Sequence, residues 1–393
     1  MRVAVYSPLP PRPTGIADYT AELLPHLARH VSVELVVERG FRPAPELASW
    51  PRRRPGALAA ALGRGEVDLV LYHLGDNRAF HGEIWRTALA VPGVVVLHEL
   101  ALHHLVRDST LHRGDPEAYV AEVAYAGSAE GEAAAREAIA SGVPLDPYRW
   151  PLCERVVDRS LGVVVHSEWA RAEVLRRRPA ARVAIVRHHL SLPAPLPGGP
   201  AEARQRLGLD PDAPLVAAFG VISTAKRPYP LLRAFRLLRR RRPAARLLFV
   251  GAPSGELAGA EWPPAELAEG VEVTGRLDID RFLLFMQAVD VAVNLRHPSG
   301  GETSGTLVRL LGLGKPVVVT DGGPSAEIPD ACCAKVAPDS CEEPMLAASL
   351  EALFGDARLR RAMGENARAW CATEHAIERS AAGYADFLER VRS

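Results

Sequence analysis

No charge of either sign is in excess in this sequence, because lysine and arginine together number 47 and aspartate and glutamate also number 47. A neutral chain has no global field to hold a polyanion, so we expect no nucleic-acid binding. Lysine is scarce, and aromatic residues make up only 6% of the chain. Attraction to an anionic membrane would therefore need a local basic patch.

Metal-binding and disulfide patterns are also missing. The five cysteines are odd in number and form no CxxC pair, which argues against a disulfide framework or a zinc site. The sequence has no HExxH motif, and no cluster of metal ligands lies near the three turns described below. We expect no metal and no cofactor beyond a co-substrate.

Long hydrophobic runs are absent as well. No apolar stretch approaches the roughly 20 residues of a membrane span. The first residues lack the apolar core of a signal peptide. We expect a cytoplasmic protein, and contact with the inner face of the membrane stays open as an alternative.

The chain of 393 residues is long enough for two domains. Short β-branched runs alternate with helical patterns, which predicts an α/β fold with parallel sheets covered on both faces. The predicted strands are Val3–Tyr6, Val33–Val37, Val67–Tyr72, Val94–Leu97, Val163–His166 and Val183–Val186 in the first half, and Leu215–Phe219, Leu247–Val250, Val271–Thr274, Val291–Asn294 and Pro316–Thr320 in the second.

A segment rich in proline and glycine, Leu190–Pro200, separates the two groups of strands and is interpreted as the domain linker. This predicts one domain over residues 1–190, with a helical excursion at about 107–150, and a second domain over 201–370. From Glu351 to the end of the chain the pattern is helical, with no strand between the helices.

The usual nucleotide-binding signatures do not occur. No GxGxxG follows the first strand. Gly314-Lys315 resembles the end of a P-loop, but Pro316 stands where serine or threonine is needed. A ligand site must therefore be sought elsewhere, at the carboxyl ends of strands, where open α/β sheets bind ligands.

Three strand-to-helix turns have suitable residues. In Pro10–Tyr19, Thr14 can cap a helix and Gly15 lets a ligand approach the backbone. In Phe219–Arg227, Lys226 lies beside a helix start, where a cation is favourable when an anion is bound. An ordinary turn and a solvated lysine are the alternatives for these two segments.

The third turn, Pro298–Gly305, combines glycines, hydroxyls and helix-start amides with the carboxylate of Glu302. The amides suit a phosphate, and the carboxylate suits a ligand that carries hydroxyl groups next to its phosphates. A flexible loop in which Glu302 caps the helix is the alternative.

Other polar groups have simpler explanations. Adjacent histidines, His103-His104 and His188-His189, point in different directions on a helix or strand, so a metal site is disfavoured against solvated or supporting histidines. The arginine runs at 52–54, 176–178 and 239–242 are expected at helix ends or in loops, where arginine complements the helix dipole. Attraction to an anionic membrane is the alternative for these runs.

Six motifs follow one another along the chain: TGIADY near the start, VLHE at Val96–Glu99, VHSEWA at Val165–Ala170, GxxxxxKR at Gly220–Arg227, TGR at Thr274–Arg276, and PSGGETSG followed by LGKPVVVTD. Taken in order, they resemble family 4 retaining glycosyltransferases of the GT-B fold. The resemblance covers nearly the whole chain. It implies two Rossmann-like domains that face an interdomain cleft, with C-terminal helices, including 371–393, crossing back to the first domain.

The resemblance also implies roles for individual residues in binding a nucleoside diphosphate sugar. Gly15 would approach the phosphates or sugar, and His98 would bind the sugar near the reacting carbon. Lys226 in the Gly220 turn would bind the diphosphate. The remaining implied contacts are Arg276 beside the base, Glu302 on the sugar hydroxyls, the amides of Thr303, Ser304 and Gly305 on phosphate, and Asp18, Tyr19 and Glu99 on the acceptor side.

Two positions depart from the family pattern. The arginine that often follows the first glycine of GxxxxxKR is Val221 here, and Arg309 stands where a ribose-binding glutamate is expected. Our hypothesis is that Arg309 restores the phosphate-binding charge missing at Val221, and that it converges with Lys226.

The expected activity is that of a metal-independent hexosyltransferase-type enzyme. It would move a sugar from a nucleoside diphosphate sugar to a hydroxyl acceptor, a glycan, lipid-linked or small molecule, with retention of configuration. A nucleotide-sugar epimerase of GT-B shape and a non-catalytic nucleotide-sugar-binding protein are the alternatives.

Overall fold

The computed structural model describes residues 1–192, 196–257 and 262–393, so part of the predicted linker, residues 193–195, lies outside the described residues. The chain divides into two compact units. The first contains Met1–His189, Gly300–Thr303 and Ile377–Ser393, and the second contains Leu190–Ser299 and Ser304–Ala376. Contrary to the predicted division, Gly300–Thr303 belongs to the first unit and the returning segment starts at Ile377.

A seven-stranded parallel sheet forms the centre of the first unit. Its strands are β1 (Arg2–Tyr6), β2 (Ser32–Val36), β3 (Arg52–Arg53), β4 (Leu69–Leu74), β5 (Val94–Leu97), β6 (Gly162–Val165) and β7 (Val183–Ile185). They lie in the order β3-β2-β1-β4-β5-β6-β7. Val3 pairs with Val33 on one side and with Leu69 on the other.

Both faces of this sheet are covered. On β5, Val95 and Leu97 belong to one buried cluster and Val94 and Val96 to the other, as the two-residue period of a strand requires. The covering helices are α1 (Gly15–Leu27), α2 (Leu58–Gly63), α3 (Arg78–Ala90), α4 (His103–Ser109), α5 (Pro116–Ser141), α6 (Glu154–Arg159) and α7 (Glu168–Arg177).

The predicted helical excursion corresponds mainly to α5, which is interrupted by non-helical backbone at Gly127 and Ser128. A Cβ atom at Gly127 would lie 2.1 Å from the ring of Trp150. The bend therefore depends on a glycine, since only a residue without a side chain fits against this indole.

The second unit repeats the architecture with six parallel strands. These are β8 (Leu215–Phe219), β9 (Arg246–Val250), β10 (Val271–Val273), β11 (Val291–Asn294), β12 (Val317–Thr320) and β13 (Ala334–Val336), in the order β10-β9-β8-β11-β12-β13. Its helices are α8 (Gly199–Leu207), α9 (Pro228–Arg239), α10 (Ile279–Ala288), α11 (Gly305–Gly312), α12 (Glu342–Gly355) and α13 (Ala357–Glu374). The prediction of an α/β fold with a parallel sheet in each half is confirmed.

The last helix, α14 (Ile377–Arg392), belongs to the first unit and packs on α1 and on β6. The hydroxyl of Tyr384 lies 2.8 Å from that of Tyr19, and a Cβ atom at Gly162 would lie 2.7 Å from the ring of Phe387. The expectation that C-terminal helix returns to the first domain is confirmed.

Two of the strands were not predicted from the sequence. Arg52–Arg53 was expected in a loop or at a helix end, but it forms the edge strand β3. The two arginines show no apolar alternation, and they extend as a strand because Arg53 pairs with Glu34 and Glu66. The three-residue strand β13 is too short to produce a periodic signal.

Candidate functional site

The two sheets share one topology, and it places the candidate residues. In each unit the strand order reverses direction beside the first strand, between β1 and β4 and between β8 and β11. Ligands of open α/β sheets bind at this switch point, outside the carboxyl ends of the strands. The turns predicted from the sequence follow β1, β8 and β11, so all three lie at a switch point.

In the first unit, His98 follows β5 and forms the middle of a row of three buried histidines. Its Nε2 atom lies 3.0 Å from Nδ1 of His73, and its Nδ1 atom lies 3.2 Å from Nε2 of His166. The row ends at the carbonyl of Val186, 2.7 Å from Nδ1 of His166. A side chain on each of three neighbouring strand ends thus contributes to one chain of hydrogen bonds.

The carbonyl end of this row fixes the tautomers. A carbonyl only accepts, so His166 donates from Nδ1 and accepts at Nε2, His98 donates from Nδ1, and His73 donates to Nε2 of His98. Burial lowers the pKa of His73 to about 3 and that of His98 well below its ordinary value, with neighbouring histidines adding to the effect. The two rings are therefore neutral near pH 7.

Both ring nitrogens of His98 are thus already hydrogen-bonded within the first unit. The predicted bond from His98 to a sugar hydroxyl requires one of these two bonds to open. At the far end of the row, Nε2 of His73 is buried and has no hydrogen-bond partner among the described residues. The row is a rigid support for His98 with one unused acceptor.

Tyr19, predicted on the acceptor side, is 2% exposed and its hydroxyl is bonded to Tyr384. Its ring packs against the histidines, with centroids 4.9 Å from His98 and 4.1 Å from His189. The side chain thus supports the histidine row from within the core, and a role of Tyr19 on the acceptor side stays a prediction. His189 is likewise buried, and it lies 3.1 Å from Glu22 rather than in solvent.

Gly15 is the first residue of α1, and the hydroxyl of Thr14 accepts from the amide of Ile16 as the sequence predicted. A Cβ atom at Gly15 would meet nothing within 4 Å among the described residues. Packing within the protein therefore does not explain this glycine. Asp18, the other predicted residue on this helix, is exposed.

The segment Gly300–Thr303 joins the turn that follows β5. The amide of Leu100 donates to the carbonyl of Gly300 at 2.6 Å. Gly301 has a φ of +84°, and a Cβ atom there would lie 2.8 Å from Leu100. Glu302 folds back over its own loop, since a Cβ atom at Gly300 would lie 3.1 Å from its Oε2 atom. The structure therefore brings the loop of Glu302 against the residue two positions after His98.

Glu99 holds the neighbouring turn in place. Its Oε1 atom accepts from the amide of Asp76 at 2.8 Å. Asp76 in turn accepts from the amide of Leu105 and from His104, and this carboxylate raises the pKa of His104. Glu99 and Asp76 fix the start of α4 relative to the end of β4. Glu99 therefore has a structural role in addition to the one predicted.

In the second unit, the side chain of Lys226 lies against the turn that follows β8. Its Nζ atom donates to the carbonyl of Phe219 at 3.2 Å, and a Cβ atom at Gly220 would lie 2.9 Å from Nζ. Gly220 has a φ of +84°, which favours glycine for a second reason. Gly251 is similarly constrained, because a Cβ atom there would lie 2.2 Å from the Gly220 carbonyl oxygen.

The turn that follows β11 lies next to this lysine. The amide of His297 donates to the carbonyl of Ala225 at 2.8 Å, which ties the two turns together. Further along, the hydroxyl of Ser304 accepts from the amide of Leu307 and caps α11, so the amides of Gly305 and Thr306 have no partner within the helix. A cation and a helix N-terminus thus flank one switch point, an arrangement suited to an anion. Nearby in sequence, Oγ1 of Thr303 is buried without a partner among the described residues.

The two residues that depart from the family pattern, Arg309 and Val221, lie in different environments. Arg309 donates from Nε to the carbonyl of Ser191 at 3.4 Å, which attaches it to the segment entering the second unit. Val221 is 59% exposed, and Arg276 is exposed on the turn after β10. The sequence analysis did not foresee the contact with Ser191, and convergence of Arg309 with Lys226 stays a prediction.

Lys315 is a structural residue. Its Nζ atom donates to the carbonyls of Gln287 and Val289 at 2.7 and 2.9 Å, and burial lowers its pKa to about 8. This lysine fixes the end of α10, so the rejection of a P-loop here agrees with its contacts.

The sequence analysis missed His73 and gave His166 no role. His166 lies within the quoted VHSEWA segment, whereas His73 lies in the apolar run of β4. A histidine inside a fully buried strand is the signal that would have drawn attention to it.

Among the described residues, no group of three or more histidine, cysteine or acidic side chains has an arrangement that would hold a metal ion. None of the helices described is both long enough and apolar enough to span a bilayer. Metal independence and a cytoplasmic location stay predictions.

Residues 201–370, which apart from Gly300–Thr303 lie within the second unit, match the family described as Glycosyl transferases group 1. Among curated proteins, the chain is 36% identical over 189 residues to D-inositol 3-phosphate glycosyltransferase of Nocardia farcinica (strain IFM 10152). This covers 45% of the chain and 40% of that relative. The protein with the same description from Actinosynnema mirum is 35% identical over 163 residues, covering 36% of the chain and 38% of the relative. The matches thus span less than half of these relatives.

Solved structures resemble the chain along its whole length. Anabaena Alr3699/HepE, solved with UDP and glucose, has a TM-score of 0.66 at 14% identity, covering 99% of this chain and 100% of its own. Sucrose-phosphate synthase from Thermosynechococcus elongatus has a TM-score of 0.68 at 16% identity, covering 99% and 98%. At these identities the similarity establishes the fold, and the predicted GT-B fold is confirmed.

Proposed function

We propose that this chain, a GT-B protein whose residues 201–370 match the group 1 glycosyl transferases, transfers a sugar from a nucleoside diphosphate sugar to a hydroxyl acceptor with retention of configuration. The observation that carries the proposal is the switch point of the second unit. There the bond from His297 to Ala225 joins the turn that contains Gly220 and Lys226 to the turn after β11, and this second turn leads into the capped start of α11. A cation and unpaired helix amides suit the two phosphates of such a donor.

The same groups would favour departure of the diphosphate. As the bond from the sugar carbon to the phosphate oxygen breaks, negative charge grows on the leaving group, and fixed donors aimed at this charge lower the barrier. The acceptor hydroxyl forms the new carbon–oxygen bond on the same face, and its proton passes to an oxygen of the leaving diphosphate. Lys226 and the amides of Gly305 and Thr306 supply positive charge in the place that a cation would fill.

The loop of Glu302 and the turn of His98 would position the sugar. The bond between Leu100 and Gly300 holds these two segments together within the first unit. Because both nitrogens of His98 are engaged, we propose that His98 orients the sugar through shape, or exchanges its bond to His73 for one to a hydroxyl. The open space at Gly15 suits a ligand that approaches the start of α1.

Ligand binding and donor turnover together test the proposal. UDP and UDP-glucose are the first ligands to try, because the Anabaena structural neighbour was solved with UDP and with UDP-glucose. A ligand at 100 times its Kd raises stability by about 2.7 kcal/mol, which thermal unfolding detects. A panel of nucleoside diphosphates and their sugars that leaves the unfolding temperature unchanged would contradict the proposal.

The alternatives make different predictions for the donor alone. A transferase releases nucleoside diphosphate slowly, by hydrolysis, until an acceptor is added. An epimerase would change the sugar without any acceptor, and a non-catalytic binding protein would shift the unfolding temperature without turnover. Transfer should also continue in EDTA. Activity lost in EDTA and restored by Mg²⁺ would refute metal independence.

A further inference from the structure

The first unit contains a polar cavity that is separate from the histidine row. Its volume is about 750 Å³, within the range of small-molecule sites. The lining comes from the segments that follow β2 and β3, from the first turns of α3, and from the end of α4 with the turn after it. These segments lie at or beyond the carboxyl ends of neighbouring strands, where open α/β sheets bind ligands.

Arginine dominates the charge of this cavity. Arg39, Arg78 and Arg113 line it, and among the described residues no carboxylate lies within ion-pair distance of any of the three. Arg54 also lines it and donates to the carbonyls of Val37 and Glu38 at 3.1 and 2.7 Å, so its charge is held in place without being neutralised. In a chain with no net charge, this is a local excess of positive charge.

The two carboxylates in the lining do not cancel that excess. Glu38 pairs with Arg12, which lies outside the lining, and Glu83 pairs with Arg86 at 2.6 Å. Each of the two carboxylates is therefore already neutralised by an ion pair with one arginine. The hydroxyl of Ser109, which also lines the cavity, is buried and has no partner among the described residues.

This cavity adjoins the turn already assigned to the acceptor side. A neighbouring cavity of about 760 Å³ shares Arg78, Ala79 and Arg113 with it and extends to Glu99 and Asp76. Glu99 directly follows His98. A molecule bound across both cavities would therefore reach from the arginines to the turn at the end of β5.

We propose that the arginine cavity binds a phosphate group of the acceptor, and that the acceptor is therefore a phosphorylated hydroxyl compound. The planar guanidinium group matches a phosphate with two parallel hydrogen bonds, and arginine remains charged at every physiological pH. Arg78 and Arg113 hold the phosphate, Ser109 donates to it, and the hydroxyl to be glycosylated extends toward Glu99. The inference rests on the proposed function and specifies its acceptor. A soluble phosphate ester and the phosphate headgroup of a lipid share this chemistry.

Calorimetry with glycerol 3-phosphate and with glycerol tests the proposal, with UDP present to fill the diphosphate site. The wild-type protein should bind the phosphate ester and not glycerol. Arg78→Ala/Arg113→Ala should weaken this binding at least about tenfold, because charge-assisted bonds are lost. The control Arg176→Ala removes an exposed arginine that is paired with Glu173 on α7, and it should bind normally. Arg113→Ala alone, in an exposed turn, provides a second variant with little risk to folding.

Vesicles distinguish the two sources of the phosphate. Cosedimentation with phosphatidylglycerol vesicles but not phosphatidylcholine vesicles, lost in the double variant, would indicate a lipid headgroup, and binding of glycerol 3-phosphate alone would indicate a soluble ester. Equal binding by the wild type and the double variant, or no binding of either probe, would overturn the proposal. UDP titrations of the same samples separate the two hypotheses, because UDP binding without any phosphate-ester binding leaves the proposed function standing.

Discussion

The two units have the same strand order around the switch point, yet different kinds of residues lie there. In the first unit, buried rings lie at the carboxyl ends of β4, β5 and β6. His73, His98 and His166 are hydrogen-bonded in a row there, and His98 packs on Tyr19. The second unit has a glycine, Gly220, at the turn after β8 and a capped helix after β11.

This difference shows what each half contributes. Shared topology fixes where a ligand binds, but it does not fix the chemistry. The turns of the second unit offer amides and a lysine, which suit a negatively charged ligand. The first unit offers a neutral, desolvated row of rings, which fixes shape and orientation.

The buried histidines of the first unit should make its stability depend on pH. Burial lowers the pKa of His73 to about 3 and that of His81 to about 4, whereas an unfolded histidine titrates near 6.5. Between pH 6.5 and 5 the unfolded chain gains protons that the folded one does not, so the free energy of unfolding should fall as the pH falls. At pH 5 the loss is about 2 kcal/mol for each of the two histidines, and it grows further until the pH reaches their folded pKa values.

Urea unfolding at pH 7.5, 6 and 5 measures this dependence. His73→Asn keeps a donor in the position of Nδ1 but cannot be protonated, so it should remove about half of the effect of the two residues. His30→Asn, at an exposed histidine, is the matched control and should leave the dependence unchanged. A pH dependence of the same size in His73→Asn and in the wild type would show that His73 does not contribute to it.

Glu302 should matter for turnover and not for nucleotide binding. Glu302→Ala removes the carboxylate that we place on the sugar hydroxyls, and mispositioned substrates lose on the order of a hundredfold in rate. UDP affinity, measured by calorimetry, should change less than about twofold since the phosphates bind elsewhere. Glu365→Ala, at an exposed glutamate of α13, is the control. A loss of UDP affinity equal to the loss of turnover would refute the assigned division of roles.

Lys226 should show the opposite pattern. Lys226→Ala should weaken both UDP and the donor sugar at least about tenfold, because one charge-assisted phosphate contact contributes roughly 1.5–3 kcal/mol. Lys335→Ala, which removes a lysine paired with Asp330, should bind UDP normally. If Arg309→Ala weakens UDP to a similar degree, Arg309 shares the phosphate. An unchanged affinity would refute the hypothesis that Arg309 binds the phosphate.

A substitution at Gly15 should affect stability and activity in opposite directions, with the smallest of the expected effects. Gly15→Ala adds a methyl group that meets nothing among the described residues, at the first position of α1. A glycine replaced in compatible helical backbone stabilises a protein by about 0.4–1 kcal/mol. We expect a slightly raised unfolding temperature together with reduced kcat/KM. A variant with full activity would show that no ligand approaches this residue.

Much of the architecture follows from local pattern. Val94–Leu97, Leu215–Phe219 and Val291–Asn294 coincide with strands as predicted, because continuous β-branched runs bounded by turn residues leave few alternatives. The edge strand Arg52–Arg53 was not predicted, since its pairing partners lie elsewhere in the sequence. The turns that carry Gly15 and Lys226 were found because parallel sheets bind ligands at strand ends.

The two parallel sheets, the turns at their switch points and the helix cap at Thr14 could be predicted from the sequence, because each depends on residues close together in the chain. The partners of distant polar groups became known from the folded structure. It joined His73, His98 and His166, buried Tyr19 under Tyr384, and gathered Arg39, Arg54, Arg78 and Arg113 around one cavity. Hydrogen bonds and charge act across space between residues far apart in sequence, so no local pattern encodes them.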